Sequence, residues 1–246
     1  MNRILALYIF LLLCGTVSAQ QIVEWSDLQT ITDNSRRTVY YKKGRKQPLR
    51  GKYRIIRGLD EECVKFSVGM INGDYRRYRD GVLRESGIYA KGKRNSTFTE
   101  YYQDGVTPRK ETPMQQGKID GTVKTYFRNG KIETEKEYRQ SVESGRERRF
   151  DSKTGEQIFE SHYIDGKKDG EEWEIFEDAS TLRSRIIRHY RNGKLDGSYR
   201  VESTRDGKPY ITIEGQYTDG EKSGQWIEHN YDNNTQTCTW HGEGGA

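Results

Sequence analysis

The sequence predicts an all-β fold, an elongated single-layer antiparallel β-meander that is built from a row of tandem β-hairpin repeats.

 Three observations lead to this prediction. A glycine frame recurs along the chain at a nearly constant interval, large side chains recur at fixed distances from that frame, and most copies carry a second tight-turn signal. Each copy is therefore read as a turn, a strand, a second turn and a second strand.

The glycine frame reads Gly-x-x-(Asn/Asp/Ser)-Gly. Its last residue recurs at intervals of 23 to 27 residues. One such frame would be weak evidence, but seven copies in register at this period indicate a repeat architecture. Two of the copies are degenerate, and the first and last residues of the seven are Gly69/Gly73, Gly92/Ser96, Gly117/Gly121, Ser141/Gly145, Gly166/Gly170, Gly193/Gly197 and Gly220/Gly224.

Large side chains accompany the frame. Those three residues before it are Phe66, Tyr89, Met114, Tyr138, Tyr163, Tyr190 and Tyr217. Two residues after it most copies have another large apolar side chain, but the fourth copy has Glu147 and the fifth has Trp173 one place late. Recurrence at a fixed period is what stacking between repeats requires, so we interpret these side chains as structural.

Most copies carry a second turn signal, usually Asp-Gly or Asn-Gly, as at Asp80-Gly81 and Asn129-Gly130. These pairs supply the positive φ that tight hairpin turns require. Two turns per copy leave room for strands of roughly five or six residues. Helices are not expected, because no window has apolar residues at helical spacing and glycine interrupts the chain throughout.

The copies resemble MORN repeats, and more closely the bacterial variant found in YwqK-type antitoxin-like proteins. That variant reads approximately Tyr-x-x-Gly-Lys-x-Asp-Gly-x-Trp/Tyr, followed by an Asn-Gly turn. Tyr163–Trp173, Tyr190–Tyr199 and Tyr217–Trp226 match it best, and the resemblance covers residues 66–231. It implies a β-hairpin repeat fold, but it implies little about activity because the repeat serves many roles.

The N-terminal residues predict export. Arg3, the apolar run Leu5–Leu13 and the small residues Val17-Ser18-Ala19 read as a secretory signal peptide. We expect the protein in the periplasm, at the outer-membrane surface or secreted. The expected segments are a signal peptide (1–19), a linker or N-terminal cap whose Ile22, Val23, Trp25 and Leu28 cover the sheet edge (20–39), a degenerate first repeat (40–65), seven repeats (66–231) and a C-terminal tail (232–246).

Charge argues against nucleic-acid binding. The chain has 42 Lys and Arg residues against 37 Asp and Glu residues, for a formal net charge of +5. The two signs alternate along the strands, as in Glu133–Glu137 and Arg146–Arg149. Alternating charge is typical of a solvated sheet face, whereas a nucleic-acid site needs a basic stripe.

No catalytic or metal-binding pattern stands out. A Gly-x-Ser-x-Gly elbow, a phosphate-binding glycine loop and a Cys-x-x-Cys pair are all missing from the sequence. Carboxylate pairs such as Asp165/Asp169 fall in predicted turns, and His162 and His189 lack a convergent ligand set. We therefore expect no enzymatic activity, no cofactor and no bound metal.

Two cysteines follow the signal, Cys63 near the start of the repeats and Cys238 after the last one. In an extended row of hairpins they would be too far apart for an intramolecular disulfide, which needs Cα atoms within about 7 Å. Both are read as thiols, with an intermolecular bridge through Cys238 as the alternative.

The aromatic side chains outside the frame are the candidate partner-binding residues, because aromatic residues dominate interface hot spots. These are Trp25, Phe159, Tyr210 and Trp240. The predicted function is that of a non-enzymatic, exported scaffold that binds an unidentified protein at the bacterial cell envelope. The alternatives are a module that associates with anionic membrane lipid or glycan, and an antitoxin-like or immunity-like neutraliser of a toxin. The open ends of the sheet also make a homodimer an alternative.

Overall fold

The computed structural model describes residues 20–34, 37–177, 183–205, 208–231 and 233–242. The predicted signal peptide, residues 1–19, lies outside the described residues. The described chain is all-β, as predicted, with one short 3-10 turn at Trp25–Asp27. It divides into two compact units, unit 1 (Met1–Thr107) and unit 2 (Pro108–Ala246). None of the described residues forms a helix that is long and apolar enough to cross a membrane.

Unit 1 contains a meander and a small second sheet. From β4 onward consecutive strands pair antiparallel, while β1 adds to the outer side of β4 in parallel and β2 pairs with β3 alone. The strands are β1 (Gln21–Glu24), β2 (Leu28–Thr32), β3 (Thr38–Lys42), β4 (Gly51–Arg57), β5 (Asp60–Ser67), β6 (Met70–Arg79), β7 (Val82–Ala90), β8 (Lys93–Arg94) and β9 (Thr97–Tyr101).

The small sheet lies over the start of the meander. Tyr40 of β3 contacts Phe66 of β5 with 5.1 Å between ring centroids, and the Tyr40 N–H donates to the Gly69 carbonyl at 2.8 Å. Of the residues predicted to cover the sheet edge, Val23 and Leu28 are buried and Ile22 is exposed. Residues 40–65 are thus shared between this covering hairpin and the first hairpin of the meander.

Unit 2 is one open antiparallel meander. Consecutive strands are neighbours throughout the described part of the unit. The strands are β10 (Pro108–Gln115), β11 (Lys118–Ile119), β12 (Gly121–Tyr126), β13 (Ile132–Arg139), β14 (Val142–Phe150), β15 (Gln157–Ile164), β16 (Lys167–Lys168), β17 (Gly170–Glu177), β18 (Arg183–Arg191), β19 (Lys194–Arg205), β20 (Lys208–Thr218), β21 (Glu221–Asn230) and β22 (Thr235–His241).

Strand β22 lies inside the segment predicted as a C-terminal tail. The turn before it has Asn234 at φ 53°, and the Asn233 side chain accepts a hydrogen bond from the Thr235 N–H at 3.2 Å. No glycine marks this turn, so the glycine-based reading of the sequence ended the last hairpin one strand too early. Asparagine adopts positive φ more readily than other residues with a side chain, which is why the turn forms without glycine.

The first residue of the glycine frame completes a two-residue hairpin turn. Both central residues have positive φ, as in Asn192 (51°) with Gly193 (86°), which is the geometry of a type I′ turn. In the degenerate fourth copy Ser141 takes the glycine position at φ 71°. This turn twists in the same sense as its flanking strands and fixes their pairing.

Successive turns are joined by backbone hydrogen bonds. The N–H of Gly193 donates to the carbonyl of Lys168 at 2.7 Å, and the N–H of Gly220 donates to that of Leu195 at 2.8 Å. The fourth frame residue adds a side-chain bond, since Asp169 Oδ2 accepts from the Asn192 N–H of the next copy at 3.0 Å. This contact gives a physical reason for Asn and Asp at that position.

The last residue of the frame lies in a β-bulge. Gly197 has a φ of 119°, and the register of β18 with β19 shifts between Arg188 and Tyr190 opposite it. A φ near 120° is essentially restricted to glycine, so the frame needs a second glycine here. The same shift recurs where β13 pairs with β14 and where β20 pairs with β21.

Candidate binding surface: a charged band within the aromatic row

In unit 2 the residues two positions after the last frame glycine, together with the residues paired with them on neighbouring strands, form one cross-strand row. Directly paired residues of antiparallel strands lie on the same face. The strand register joins Val123 to Lys136, Lys136 to Glu147, Glu147 to Ser161, Glu172 to Arg188, Arg188 to Tyr199 and Tyr199 to Gly215. We call the face that carries these residues the row face.

At the C-terminal end the row is aromatic. The ring of Tyr199 lies 5.2 Å from that of Trp226 and 5.7 Å from that of Tyr217. Gly215 lies beneath the indole, so closely that a Cβ there would be 2.3 Å from Trp226 Cδ2. The indole N–H donates to the Gln216 carbonyl at 3.1 Å. We call Tyr199, Tyr217 and Trp226 the aromatic cluster.

Unit 1 repeats this arrangement. Tyr75 pairs with Gly87, and the rings of Tyr75 and Tyr89 lie 6.1 Å and 5.3 Å from that of Phe98. A Cβ on Gly87 would lie 2.7 Å from the Phe98 ring. In both units, therefore, an aromatic side chain that packs over a glycine stabilises the repeat.

In the middle of unit 2 charged residues take these positions. Lys136 Nζ lies 2.7 Å from Glu143 Oε1, 3.0 Å from Glu147 Oε2 and 4.5 Å from the centre of the Tyr163 ring. Burial lowers the pKa of Lys136, but its hydrogen bonds to the two glutamates outweigh burial and leave that pKa raised. Burial and the charge of Glu147 raise the pKa of Tyr163 to about 12.

Glu172 is the most deeply buried of these charges, with a side chain that is 2% exposed. Its carboxylate contacts the Lys168 ammonium, lies 3.3 Å from Arg188 Nε and accepts a hydrogen bond from the Tyr190 hydroxyl at 3.3 Å. Burial, followed by the charge of Glu172, raises the pKa of Tyr190. A carboxylate buried to this extent is stable only because these partners surround it.

A second row joins the network at its side. Glu174 contacts Arg149 Nη2 at 3.0 Å and Arg188 Nη2 at 3.2 Å, and the Arg149 guanidinium lies 3.8 Å from the centre of the Phe159 ring. The members number four basic and four acidic residues, so their formal charges cancel. We call them the charged band: Lys136, Glu143, Glu147, Arg149, Lys168, Glu172, Glu174 and Arg188.

The opposite face of the same strands is also charged, but its pattern is regular. Lys124 pairs with Glu135, Glu135 with Arg148, and Arg148 with Glu160. The contacts are long, at 3.3 Å for Lys124 with Glu135 and 3.6 Å for Arg148 with Glu135. This ladder has the alternating charges that the sequence predicts, but it is only partly solvated, since the Glu135 side chain is 14% exposed.

Trp173 lies on that opposite face, where it pairs with Glu160 and packs under Arg185 at 4.5 Å. It is therefore not a displaced member of the aromatic row, and Glu172 holds the row position of the fifth copy. Alternation along a strand sends neighbouring side chains to opposite faces, so a shift by one residue changes the face.

The three off-frame aromatic residues of unit 2 do not converge. Phe159 is 5% exposed and lies beneath Arg149, which gives it a packing position. The ring of Tyr210 contacts that of Tyr231 edge-on, with 4.4 Å between the ring centroids, and Trp240 lies on β22 with 63% of its surface exposed. The three belong to β15, β20 and β22, which are not adjacent strands.

Trp25 lines a small cleft in unit 1 of about 210 Å³. The guanidinium of Arg57 lies 3.9 Å from the centre of its ring. Burial raises the pKa of Glu62 in this cleft, even though Arg57 and Arg77 act in the opposite direction. The remaining lining residues are Ile55 and Asp60.

The predicted histidines contact backbone groups. His162 Nδ1 lies 3.1 Å from the Glu171 carbonyl, and His189 Nδ1 lies 3.2 Å from the Ser198 carbonyl. Among the described residues no group of three or more His, Cys, Asp and Glu side chains could hold a metal ion. Neither the protein-family models nor the curated proteins that were compared with the chain give a match.

Proposed function

We propose that this protein is a non-enzymatic scaffold of MORN-like repeats, which binds a protein partner at the bacterial cell envelope through the charged band. The exported location rests on the signal-like sequence at the start of the chain. The choice of surface rests on the contrast between the band and the rest of the row. Its partner is a folded or extended protein whose polar surface carries both signs of charge.

The observation that carries the proposal is the place where the repeat departs from its own pattern. At the positions of Glu147 and Glu172, other copies have Tyr75, Tyr199 or Trp226. A buried ion pair is often no more stabilising than a well-packed apolar pair, because desolvation offsets the attraction. Stability alone would favour an aromatic residue there, so the charges support a role in recognition.

The composition of the band supports a protein ligand. Four basic and four acidic residues cancel, whereas a nucleic acid or an anionic membrane is bound by an excess of Lys and Arg. The rings of Tyr163 and Tyr190 lie against Lys136 and Lys168, at 4.5 Å and 4.9 Å from the two ammonium groups. Tyrosine and arginine, which the band and its neighbours also supply, are enriched among the side chains that dominate protein interfaces.

The test is a cross-linked pull-down with residues 20–246 as bait, from envelope and cytosolic extracts, read by mass spectrometry. The same bait carries Arg149→Glu, which reverses a charge at the edge of the band where the side chain is 41% exposed. Lys124→Glu is the matched control, because it reverses a similarly exposed, glutamate-paired cation on the opposite face.

We expect a stoichiometric protein that is captured by the unmodified bait and by Lys124→Glu but lost with Arg149→Glu. Equal capture by all three baits would reject the charged band as the contact surface. Capture of no protein, together with binding to anionic vesicles that fades as salt rises, would reject the protein-binding function in favour of lipid association. Recovery of a toxin would narrow the function to immunity.

A further inference from the structure

Strand β22 has an open edge. It pairs with β21 along its whole length, from Gly224 opposite His241 to Asn230 opposite Thr235. Within the described part of unit 2 no strand pairs with its other side. The backbone N–H and C=O groups on that side are therefore available to another strand.

The composition of β22 does nothing to protect this edge. Its sequence is Thr-Gln-Thr-Cys-Thr-Trp-His, without Lys, Arg, Asp, Glu or Pro. Every other described strand of unit 2 has at least one charged residue. Natural proteins usually place charges or proline on exposed edges to prevent pairing between chains. The absence of charged residues and proline from β22, together with the exposed ring of Trp240, favours an edge that pairs with another strand.

The strand also matches a copy of itself. Cys238 is the central residue of the seven in Thr235–His241, and its thiol is exposed and free. If two copies pair antiparallel about a two-fold axis at Cys238, each Thr237 lies opposite Thr239 of the second copy. Each Gln236 then lies opposite Trp240 of the second copy. Directly opposed threonine pairs of this kind stabilise an antiparallel sheet.

We propose that β22 is a homodimer interface, in which two chains pair antiparallel through this strand with the two Cys238 residues directly opposite each other. Opposed residues of antiparallel strands have Cα separations of about 4.5 or 5.5 Å, according to their hydrogen-bond class. Both values fall within the roughly 4.4–6.8 Å that a disulfide spans. The pairing therefore brings the two sulfur atoms into reach of a covalent bond.

The bond forms by thiol–disulfide exchange with a small disulfide such as oxidised glutathione. One Cys238 thiolate attacks the small disulfide, forming a mixed disulfide and releasing one glutathione thiolate. The Cys238 thiolate of the second chain then attacks the mixed disulfide at the Cys238 sulfur and releases the second glutathione. Two cysteine thiols are oxidised and one small disulfide is reduced to two thiols, so atoms and electrons balance.

The interface does not depend on the proposed function. It uses the edge strand β22, whereas the charged band lies on the face of strands β13 to β18. A protein that failed to bind any partner through the band would still be expected to dimerise. Conversely, loss of the dimer would leave the proposed binding surface unaffected.

The first test exposes residues 20–246 to oxidised glutathione and follows non-reducing gel electrophoresis and light scattering after size exclusion. We expect most of the chain to become a dimer that a reductant dissociates. A product that stops at the glutathione mixed disulfide would overturn the proposal. Thr237→Lys with Thr239→Lys keeps Cys238 but places the introduced lysines opposite each other. We expect the disulfide dimer to form at least tenfold more slowly, which corresponds to about 1.4 kcal/mol in the activation free energy.

The second test examines the register in the Cys238→Ser background. Thr237→Cys combined with Thr239→Cys restores two directly opposed pairs and should cross-link. Thr237→Cys alone has only a diagonal neighbour, about 7–8 Å away, and should cross-link poorly. Equal cross-linking of the two variants, or unimpeded dimerisation of the lysine variant, would mean that the thiols meet by random collision, and would reject strand pairing.

Discussion

The aromatic cluster and the charged band occupy the same row of the same sheet, yet they hold it in different ways. Tyr199 pairs with Gly215, which the Trp226 indole covers, whereas Glu172 forms an ion pair with its cross-strand partner Arg188. The backbone is therefore set by the turns and bulges, which the two regions share. The side chains of the row can therefore differ between the aromatic cluster and the charged band.

This difference separates two roles within one repeat. In the aromatic cluster Trp226 is 5% exposed, and the half-buried rings of Tyr199 and Tyr217 pack against it. The charged band is partly exposed, and its members have ionic partners that a bound protein could replace. We expect substitutions in the cluster to act on stability and substitutions in the band to act on stability and binding together.

The largest effect is expected from Trp226→Ala in the aromatic cluster. The indole is 5% exposed, and it covers Gly215 and two tyrosine rings. Removing such a side chain leaves a cavity and should lower the free energy of unfolding by about 3–5 kcal/mol. Urea unfolding followed by circular dichroism measures this loss. A loss below that of a surface substitution such as Lys124→Ala would contradict the packing role.

The next largest effect is expected from Glu172→Ala. The substitution leaves Lys168 and Arg188 facing each other without the carboxylate that both contact. Because the glutamate is buried but its partners are partly exposed, we expect a loss of about 3 kcal/mol in urea unfolding, at the lower end for a broken buried pair. An unchanged midpoint would show that the ion pairs of the band contribute nothing to the fold.

Glu172→Tyr combined with Arg188→Gly sharpens the comparison, because it copies the pair Tyr75 with Gly87 into the band. Replacing a buried ion pair by apolar packing is often neutral or stabilising. We expect the free energy of unfolding to stay within about 1 kcal/mol of the unmodified chain, while capture of the protein partner is lost. A double variant as unstable as Glu172→Ala would mean that the band is needed for folding.

A smaller effect than that of Glu172→Ala is expected from Gly215→Ala, which places a Cβ against the Trp226 ring. Overpacking of this kind costs about 1–3 kcal/mol. In a Trp226→Leu background the steric conflict is relieved, so the same substitution should cost less. A double-mutant cycle in urea measures the difference, and additive effects would exclude a direct conflict between the two residues.

Much of the backbone could be predicted from the sequence, because glycine has few reasons to recur at a fixed spacing. The frame predicts the hairpins, and the structure gives each of its glycines a distinct conformation, as at Gly193 and Gly197. The glycine pattern does not predict strand β22, because asparagine replaces glycine in the turn that precedes it. Tertiary context, which no local pattern encodes, decides that the first sheet is joined in parallel by β1.

The charged band was visible in the sequence only as an irregularity. Glu147 departs from the row in the sequence itself, but the large side chain of Trp173 one place later hides Glu172 as the row residue of the next copy. Counting strictly by two along the strand would have placed Glu172 on the row face. The partners Lys168 and Arg188 come from other strands, so their convergence on Glu172 required the register of the sheet.

A near-neutral effect is expected from Ser161→Ala. This serine lies in the row between the two glutamates, is 1% exposed, and its hydroxyl has no hydrogen-bond partner among the described residues. Removing an unsatisfied buried hydroxyl should leave stability unchanged or raise it by up to about 1 kcal/mol in urea unfolding. A clear loss of stability would indicate that the hydroxyl has a partner, and that the band is more tightly built than its ion pairs imply.

The smallest effect at neutral pH is expected from Tyr163→Phe, and it should appear only in alkali. Because the pKa of Tyr163 is raised from 10.0 to about 12, the unfolded chain loses this proton first. The contribution of the protonated Tyr163 hydroxyl to the free energy of unfolding is therefore complete below pH 10 and is lost as pH rises through 12. Urea midpoints measured from pH 8 to pH 12 should fall less steeply for the phenylalanine variant than for the unmodified chain. Tyr199→Phe is the control from the aromatic cluster, where burial raises the pKa of Tyr199 without a neighbouring carboxylate. If Tyr163→Phe and the unmodified chain lose stability in parallel, the charge of Glu147 does not act on that hydroxyl, and the band is more open to water than the aromatic cluster in this respect as well.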